Sequence, residues 1–213
     1  MTGDQKTTGK PGPKPDALCL DFANTMDWHA SAQPEESLHR FEDLLQWAEE
    51  HNALDTSTAG QMRQKAQRNP AEAEKTLADG IELREAIYRI FSSHAAGESP
   101  EMQDLEILNR YLREAMSQLS LHPSGQGYTW RWPEPAESFN RLLWPIARSA
   151  AELLTSEWLE RVGQCADERG CGWLFLDESR NHKRRWCDMR GCGNRAKARR
   201  HYKRSQLARP AVA

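Results

Sequence analysis

The chain has 213 residues, 38% of them hydrophobic and 28% charged, which suits one cored domain with a small appendage and excludes a disordered chain. No apolar run approaches the roughly 20 residues of a membrane-spanning helix. The opening MTGDQKTTGKPGPKPD lacks the apolar stretch of a secretory signal, so a cytoplasmic protein without membrane contact is expected.

The net charge of −2 hides a split. Residues 1–160 carry 15 Lys+Arg against 26 Asp+Glu (net −11), whereas residues 161–213 carry 14 against 5 (net +9). Such asymmetry points to nucleic acid or another polyanion as partner, or else to a basic segment packed on an acidic body.

Residues 1–15 read as a flexible tail rich in Gly, Pro, Lys and Thr. In the stretch ALCLDFANTMDW, Leu18, Leu20 and Phe22 alternate with Ala17, Cys19 and Asp21, which predicts a short strand. Cys19 reads as a small buried residue. Phe41, Leu44, Leu45 and Ala48 predict a helix over 41–54, and a polar helix over 55–68 follows. Asn69-Pro70 predicts an N-cap with proline at the first helical position. The next helix carries Leu77, Ile81, Ala86, Ile87, Ile90 and Phe91, with Gly80 as an expected weak point and Gly97 as its end. Leu105, Leu108, Leu112, Met116 and Leu119 place one apolar face on a further helix. Tyr128, Trp130 and Trp132 alternate with Thr129 and Arg131, a second strand pattern, expected to pair with the first. Residues 136–162 return to a helical pattern that Pro145 kinks or divides.

From residue 161 the pattern changes. Cys165, Cys171, Cys187 and Cys192 form C-x5-C-x15-C-x4-C within 28 residues. Two cysteine pairs joined by such a linker have the form of a four-thiolate site for one structural Zn2+. An iron–sulfur cluster, a redox switch and four unliganded thiols are the rival readings, with His182 and His201 as substitute ligands. Trp173–Leu176 predicts one arm of a hairpin that turns over 177–181 and returns through 183–186. Gly172 and Gly193 follow the second cysteine of each pair, where a residue without a β-carbon lets the backbone turn towards sulfur. Asn194 is the expected N-cap of a basic helix over 195–206. Arg195, Lys197, Arg199, Arg200, Lys203 and Arg204 on that helix, with Arg180, Lys183, Arg184 and Arg185 before it, are the candidate nucleic-acid contacts. About six phosphate contacts imply a log K against log salt slope near −5. No aromatic-rich RNA signature is present, which favours DNA.

The CGNR run at 192–195, with CGWLFLD at 171–177 and RRWC at 184–187, resembles the CGNR zinc finger found at the C-terminus of bacterial proteins that carry an ABATE domain. LCLDFANTMDW resembles the start of that domain. The resemblance implies a stress-induced transcription regulator with the finger as its DNA-binding element. It also implies four residues within the first cysteine pair, where this chain has five, the extra one lying in Asp167–Gly170.

A regulator's body is expected to sense a small-molecule effector or to form a homodimer, since regulators commonly read paired half-sites. Asp21, Asn24, Thr25 and Trp28 follow the predicted first strand and are the candidate effector residues, with Trp130 and Trp132 as lining and Arg84 as a charge partner. The competing assignment puts the tryptophans in the core and Asp21 or Asn24 at a turn. There is no G-x-S-x-G, H-E-x-x-H or phosphate-binding glycine loop, and a four-thiolate zinc has no open position, so no enzymatic activity is expected. The alternative function is a protein-interaction adaptor whose basic module grips an acidic partner. The expected architecture is mainly α with a small β-sheet (α+β): tail 1–15, mostly helical body 16–160, and a zinc-binding ββα-like module 161–213.

Overall fold

The computed structural model describes residues 12–133 and 138–207. The flexibility expected for the tail falls mostly on residues 1–11, outside the described residues. Residues 12–15 lie along the protein: the Trp158 indole N–H donates to the Gly12 carbonyl at 2.9 Å, and Lys14 pairs with Glu178.

The helical body follows the predicted periodicity, with corrections to its first element, to one helix face and to the strand pairing. The stretch read as a first strand is a helix, α1 (Leu18–Ala23). Its alternation is incomplete, because Cys19 and Ala23 are as buried as Leu20 and Phe22. A short apolar run surrounded on nearly every side satisfies either backbone, and the local hydrogen bonds decide. The Asp16 side chain accepts the Leu18 N–H at 3.1 Å, and the Ser149 hydroxyl accepts the Cys19 N–H at 3.1 Å. Burial pushes the Cys19 thiol up to about 12, as suits the small apolar role expected of it.

Two-residue strands β1 (Met26–Asp27) and β2 (Glu35–Glu36) pair next. Helices α2 (Phe41–Glu50), α3 (Thr56–Arg68) and α4 (Pro70–Ala95) follow. Pro70 lies in the first turn of α4, although the Asn69 side chain makes no capping bond. The helix passes through Gly80 unbroken: a β-carbon there would lie 3.1 Å from Leu44 and 3.3 Å from Leu143. Glycine at this point admits close packing of α2 and the segment before α6. Gly97, at φ +76°, ends the run.

In α5 (Met102–Gln118) the buried stripe is Asp104, Leu108, Tyr111 and Ala115, rotated from the expected leucine face. The polar members are satisfied. Arg89 grips Asp104 at 2.6–3.0 Å, and the Tyr111 hydroxyl donates to the Asp79 carbonyl at 3.1 Å. Met116 is left exposed beside Leu112 and Leu119.

The second predicted strand exists as β4 (Gly127–Arg131), but its partner is β3 (Ser120–Ser124), with Leu121 opposite Trp130. No pairing to residues 17–28 is available, because those residues are helical. Phe139–Leu142 form a 3-10 turn and α6 (Trp144–Leu154) begins with Pro145 in its first turn, so the proline divides the segment as expected. Among the described residues no helix is long and apolar enough to cross a membrane.

The chain then enters β5 (Val162–Gln164), which pairs antiparallel with β6 (Leu174–Leu176), and ends in α7 (Asn194–Leu207). The architecture is mainly helical with three two-stranded antiparallel sheets among the described residues. Val162, Leu174 and Leu176 belong to the same apolar core as α1, α4 and α6, so the C-terminal segment is built into the body. The buried Asn24 amide completes this docking. Its carbonyl accepts the Leu174 N–H and its NH2 donates to the Leu174 carbonyl, both at 2.9 Å.

Candidate metal centre and nucleic-acid interface

The hairpin order differs from the one expected. Trp173–Leu176 pairs with 162–164 rather than with 183–186, which puts Cys165 and Cys171 in the loop joining β5 to β6. The Cys165 sulfur accepts N–H groups from Asp167 and Cys187, and the Cys171 sulfur accepts that of Trp173. The second pair comes from the turn opening α7. Asp188, not Asn194, caps that turn by accepting the Gly191 N–H, and one π turn over Met189–Gly193 runs directly into the helix.

The four sulfurs lie within 4.8 Å of one another, with Cys171 to Cys187 at 3.7 Å and Cys187 to Cys192 at 3.6 Å. Four thiolates placed tetrahedrally about 2.3 Å from one zinc sit about 3.8 Å apart. All five cysteines are free thiols, so the four are not paired as disulfides. Backbone N–H groups lower Cys165 against its burial, but the protein environment alone disfavours four thiolates at once: burial, then the neighbouring sulfurs, pushes Cys187 above its ordinary range, and burial pushes Cys192 to about 12. A divalent cation supplies the compensating charge.

The fold and the thiolate centre coincide with two family models. One, ABATE, described as "Putative stress-induced transcription regulator", matches residues 16–157, and the CGNR zinc finger matches residues 161–205.

The chain belongs to the ABATE family.

No curated protein matches it. The CGNR finger with its four clustered cysteines holds one structural zinc, whose role is to close the two knuckles on each other.

The surroundings of the ABATE protein's metal centre include residues that spacing did not single out. Asp167, in the five-residue first loop, is buried, with burial opposing ionisation; the Arg169 N–H and the Arg195 and Arg199 guanidiniums outweigh it and hold the carboxyl at about 2. Arg195 Nε donates to Asp167 at 3.1 Å and its Nη2 to the Cys192 sulfur at 2.8 Å; Arg199 donates to Asp167 at 3.2 Å. The first loop thus ties the first knuckle to the first turns of α7. Arg195 also offsets the −2 charge of a zinc with four thiolates. Trp28, held at φ +52°, packs against the cysteine cluster, with the guanidiniums of Arg169 and Arg195 over its ring at 4.9 and 5.3 Å. An acid two residues after the first cysteine is the sequence signal for Asp167; nothing local announces Trp28.

Gly172 is as constrained as expected. Its φ is +67°, and a β-carbon would lie 2.5 Å from the Tyr88 hydroxyl and 2.8 Å from the Ala30 backbone nitrogen. Gly172→Ala therefore misplaces Cys171 and separates the knuckle from the body. Zinc retention against a competing chelator should fall, and the melting temperature should drop by about 4–8 °C, from at least about 2 kcal/mol of backbone strain and overlap. Gly193 has no such φ, but a β-carbon there would meet the Met189 sulfur at 2.9 Å.

The ten candidate nucleic-acid residues divide into two sets. Arg195 and Arg199 face the metal centre, as above. Arg184 lies over Phe175 at 4.4 Å, donates to the Trp186 carbonyl at 2.9 Å and also to that of Cys187, so it organises the second knuckle. Arg180, Lys183, Arg185, Lys197, Arg200, Lys203 and Arg204 are exposed.

The effector candidates also divide. Asp21, Asn24 and Thr25 line one cavity of about 440 Å³ between α1, α2 and Trp173, shared with Asp27, Asp43, Trp47, Glu50 and His51. Arg84 lies behind it and reaches it only through the Thr25 hydroxyl at 3.3 Å. Trp130, half exposed, lines a separate groove with Leu112 and Met116, while Trp132 donates to the Ala115 carbonyl at 3.3 Å and packs at a tilt beside Trp144. Trp28 is at the metal centre.

Proposed function

We propose that the protein is a cytoplasmic DNA-binding transcription regulator that binds duplex DNA through the outward face of α7, with an effector received in the cavity lined by Asp21, Asn24 and Thr25. The observation that carries this reading is the uncompensated charge of the finger. Among the described residues, no α7 cation forms an ion pair with a carboxylate of residues 16–160; their carboxylate partners are Asp167 and Glu168 of the finger itself. A strongly acidic body therefore leaves a strongly basic face open, which suits a polyanion. Trp173 joins the cavity wall immediately after Gly172, so an effector there touches the hairpin that carries Cys165 and Cys171. That continuity supports coupling between sensing and DNA binding. Neither site presents a nucleophile with its base, and the reading is non-enzymatic.

Deleting residues 161–213 would strip Val162, Leu174 and Leu176 from the core, so the test uses surface substitutions. Zinc-loaded protein is titrated with mixed-sequence duplex across a salt series. The triple variant Lys197→Ala, Arg200→Ala, Arg204→Ala should flatten the log K against log salt slope by about 3 at unchanged zinc content. Equal binding by the triple variant, or no binding by the parent near physiological salt, overturns the reading.

A further inference from the structure

Beside α7 lies a groove of about 210 Å³ bounded by Ala166 and Glu168 on one side, Arg185 and Trp186 on another, and Ala196, Arg199, Arg200, Lys203 and Arg204 on the helix. Its cations come from two separate segments and converge. Arg185 is braced over the Trp186 ring at 5.4 Å, and Trp186 in turn packs against the cysteine cluster. The zinc centre thus fixes one wall and α7 the other. The one acid within the groove is Glu168, largely exposed, whose Oε2 lies 3.3 Å from Arg199 Nη1 and 4.0 Å from Lys203 Nζ. A single carboxylate oxygen shared by two cations from successive turns on one face of the helix sits where an incoming anion would sit.

We propose that this groove is the seat of one phosphodiester of a nucleic-acid strand, and that Glu168 occupies it in the free protein as a surrogate anion. The inference rests on the DNA-binding reading above and adds to it a site and a regulating contact. The charge pattern selects a polymer of phosphates over an isolated anion. Lys197, Arg200 and Arg204 fall at i, i+3 and i+7, one face of the helix, a row about 10 Å long that continues from the groove. Each strand of a duplex presents one phosphate per about 3.4 Å of helix axis, so a strand seated in the groove meets the rest of the row. The planar guanidinium forks of Arg185 and Arg200 suit the tetrahedral oxygens of phosphate. When the strand arrives, Glu168 must yield Arg199 and Lys203. Its carboxylate then opposes binding and raises the discrimination against weakly charged ligands.

The experiment compares zinc-loaded full-length protein with Glu168→Gln, Glu178→Gln and Arg185→Ala, titrating one fluorescent mixed-sequence duplex across a salt series and measuring zinc content alongside. Glu168→Gln should tighten binding about three- to tenfold and steepen the salt slope by about one. Glu178→Gln removes an equal charge from an exposed site paired with Lys14, outside the groove, and should change affinity less than twofold. Arg185→Ala should weaken binding and flatten the slope. An equal gain from both glutamate variants, or no effect of Arg185→Ala, overturns the seat while leaving the DNA-binding reading intact. Absence of binding by the parent near physiological salt overturns that reading itself.

Discussion

Removal of the zinc by a strong chelator, or replacement of its ligands in Cys171→Ser or in Cys187→Ser with Cys192→Ser, is expected to disorder residues 177–207 and the first cysteine loop while the helical body persists. The finger has almost no apolar core of its own: its buried cluster is Cys165, Cys171 and Cys192, with Trp28, Trp186 and Cys187 partly buried around it. Metal binding in such modules contributes about 10–16 kcal/mol in isolated fingers and is inseparable from their folding. Here the β5–β6 hairpin is exempt, because Val162, Leu174 and Leu176 are held by the body's core and by the Asn24 amide. Two observables follow. Metal analysis should give one zinc per chain in the parent and well below one in the ligand variants. Trypsin should cut at Arg180 and Lys183–Arg185 only after chelation, leaving a resistant fragment that ends just beyond the β5–β6 hairpin. Resistance of the 180–204 segment in the presence of chelator would contradict the account. Zinc affinity should also weaken on acidification, since the ligating form of each cysteine is the thiolate.

The second large effect concerns Arg84, a fully buried guanidinium in the centre of the body. Its Nη1 and Nη2 donate to the two Glu36 oxygens at 2.6 and 2.7 Å, and its Nε and Nη2 donate to Glu85 at 3.0 and 2.9 Å. Glu85 also meets His29 at 2.9 Å. This arrangement knits α4 to β2 and to the loop before it. Arg84→Ala leaves two partly buried carboxylates without their cation, and breaking such a network typically costs about 3–5 kcal/mol. For a chain of this length that is a fall in melting temperature of roughly 6–20 °C, measurable by calorimetry. Burial opposes the ionised forms of Glu36 and Glu85; the Arg84 contacts for Glu36, and His29 followed by Arg84 for Glu85, outweigh it and lower both. Carboxylates lowered on folding stabilise the fold above their unfolded value, about 4.3, and that contribution is lost as pH falls through the folded values. The parent should therefore lose stability on acidification below about pH 4, as read by urea midpoints, and Arg84→Ala should lose much less over the same interval. A parallel pH dependence in the two proteins would show that the stabilisation lies elsewhere.

Much of the protein was legible in its residues, for identifiable reasons. Helices 41–50, 56–68, 70–95 and 102–118 were written in apolar periodicity and in Pro70 and Gly97, because a long amphipathic helix carries its signal locally. The four-cysteine centre was equally local: thiolate spacing constrains a metal site before any tertiary contact does. The five-residue length of the first loop was visible too, though not that the loop holds Asp167 under Arg195 and Arg199.

Tertiary structure alone decided the rest. LCLDFA is helical because Asp16 and Ser149, the latter 130 residues from Cys19, hold its backbone N–H groups, a choice that a six-residue, mostly apolar segment cannot make for itself. Trp173–Leu176 joins 162–164 rather than 183–186 because that pairing buries Leu174 and Leu176 in the body. Trp28 belongs to the metal centre, and Asp21, Asn24 and Thr25 to a cavity, through contacts made far along the chain. Composition sets how many cations a helix carries. Which of them face a buried carboxylate and which face water depends on what the fold sets beside them, and Asp167, itself fixed by the knuckle, draws Arg195 and Arg199 inward and leaves Lys197, Arg200, Lys203 and Arg204 exposed.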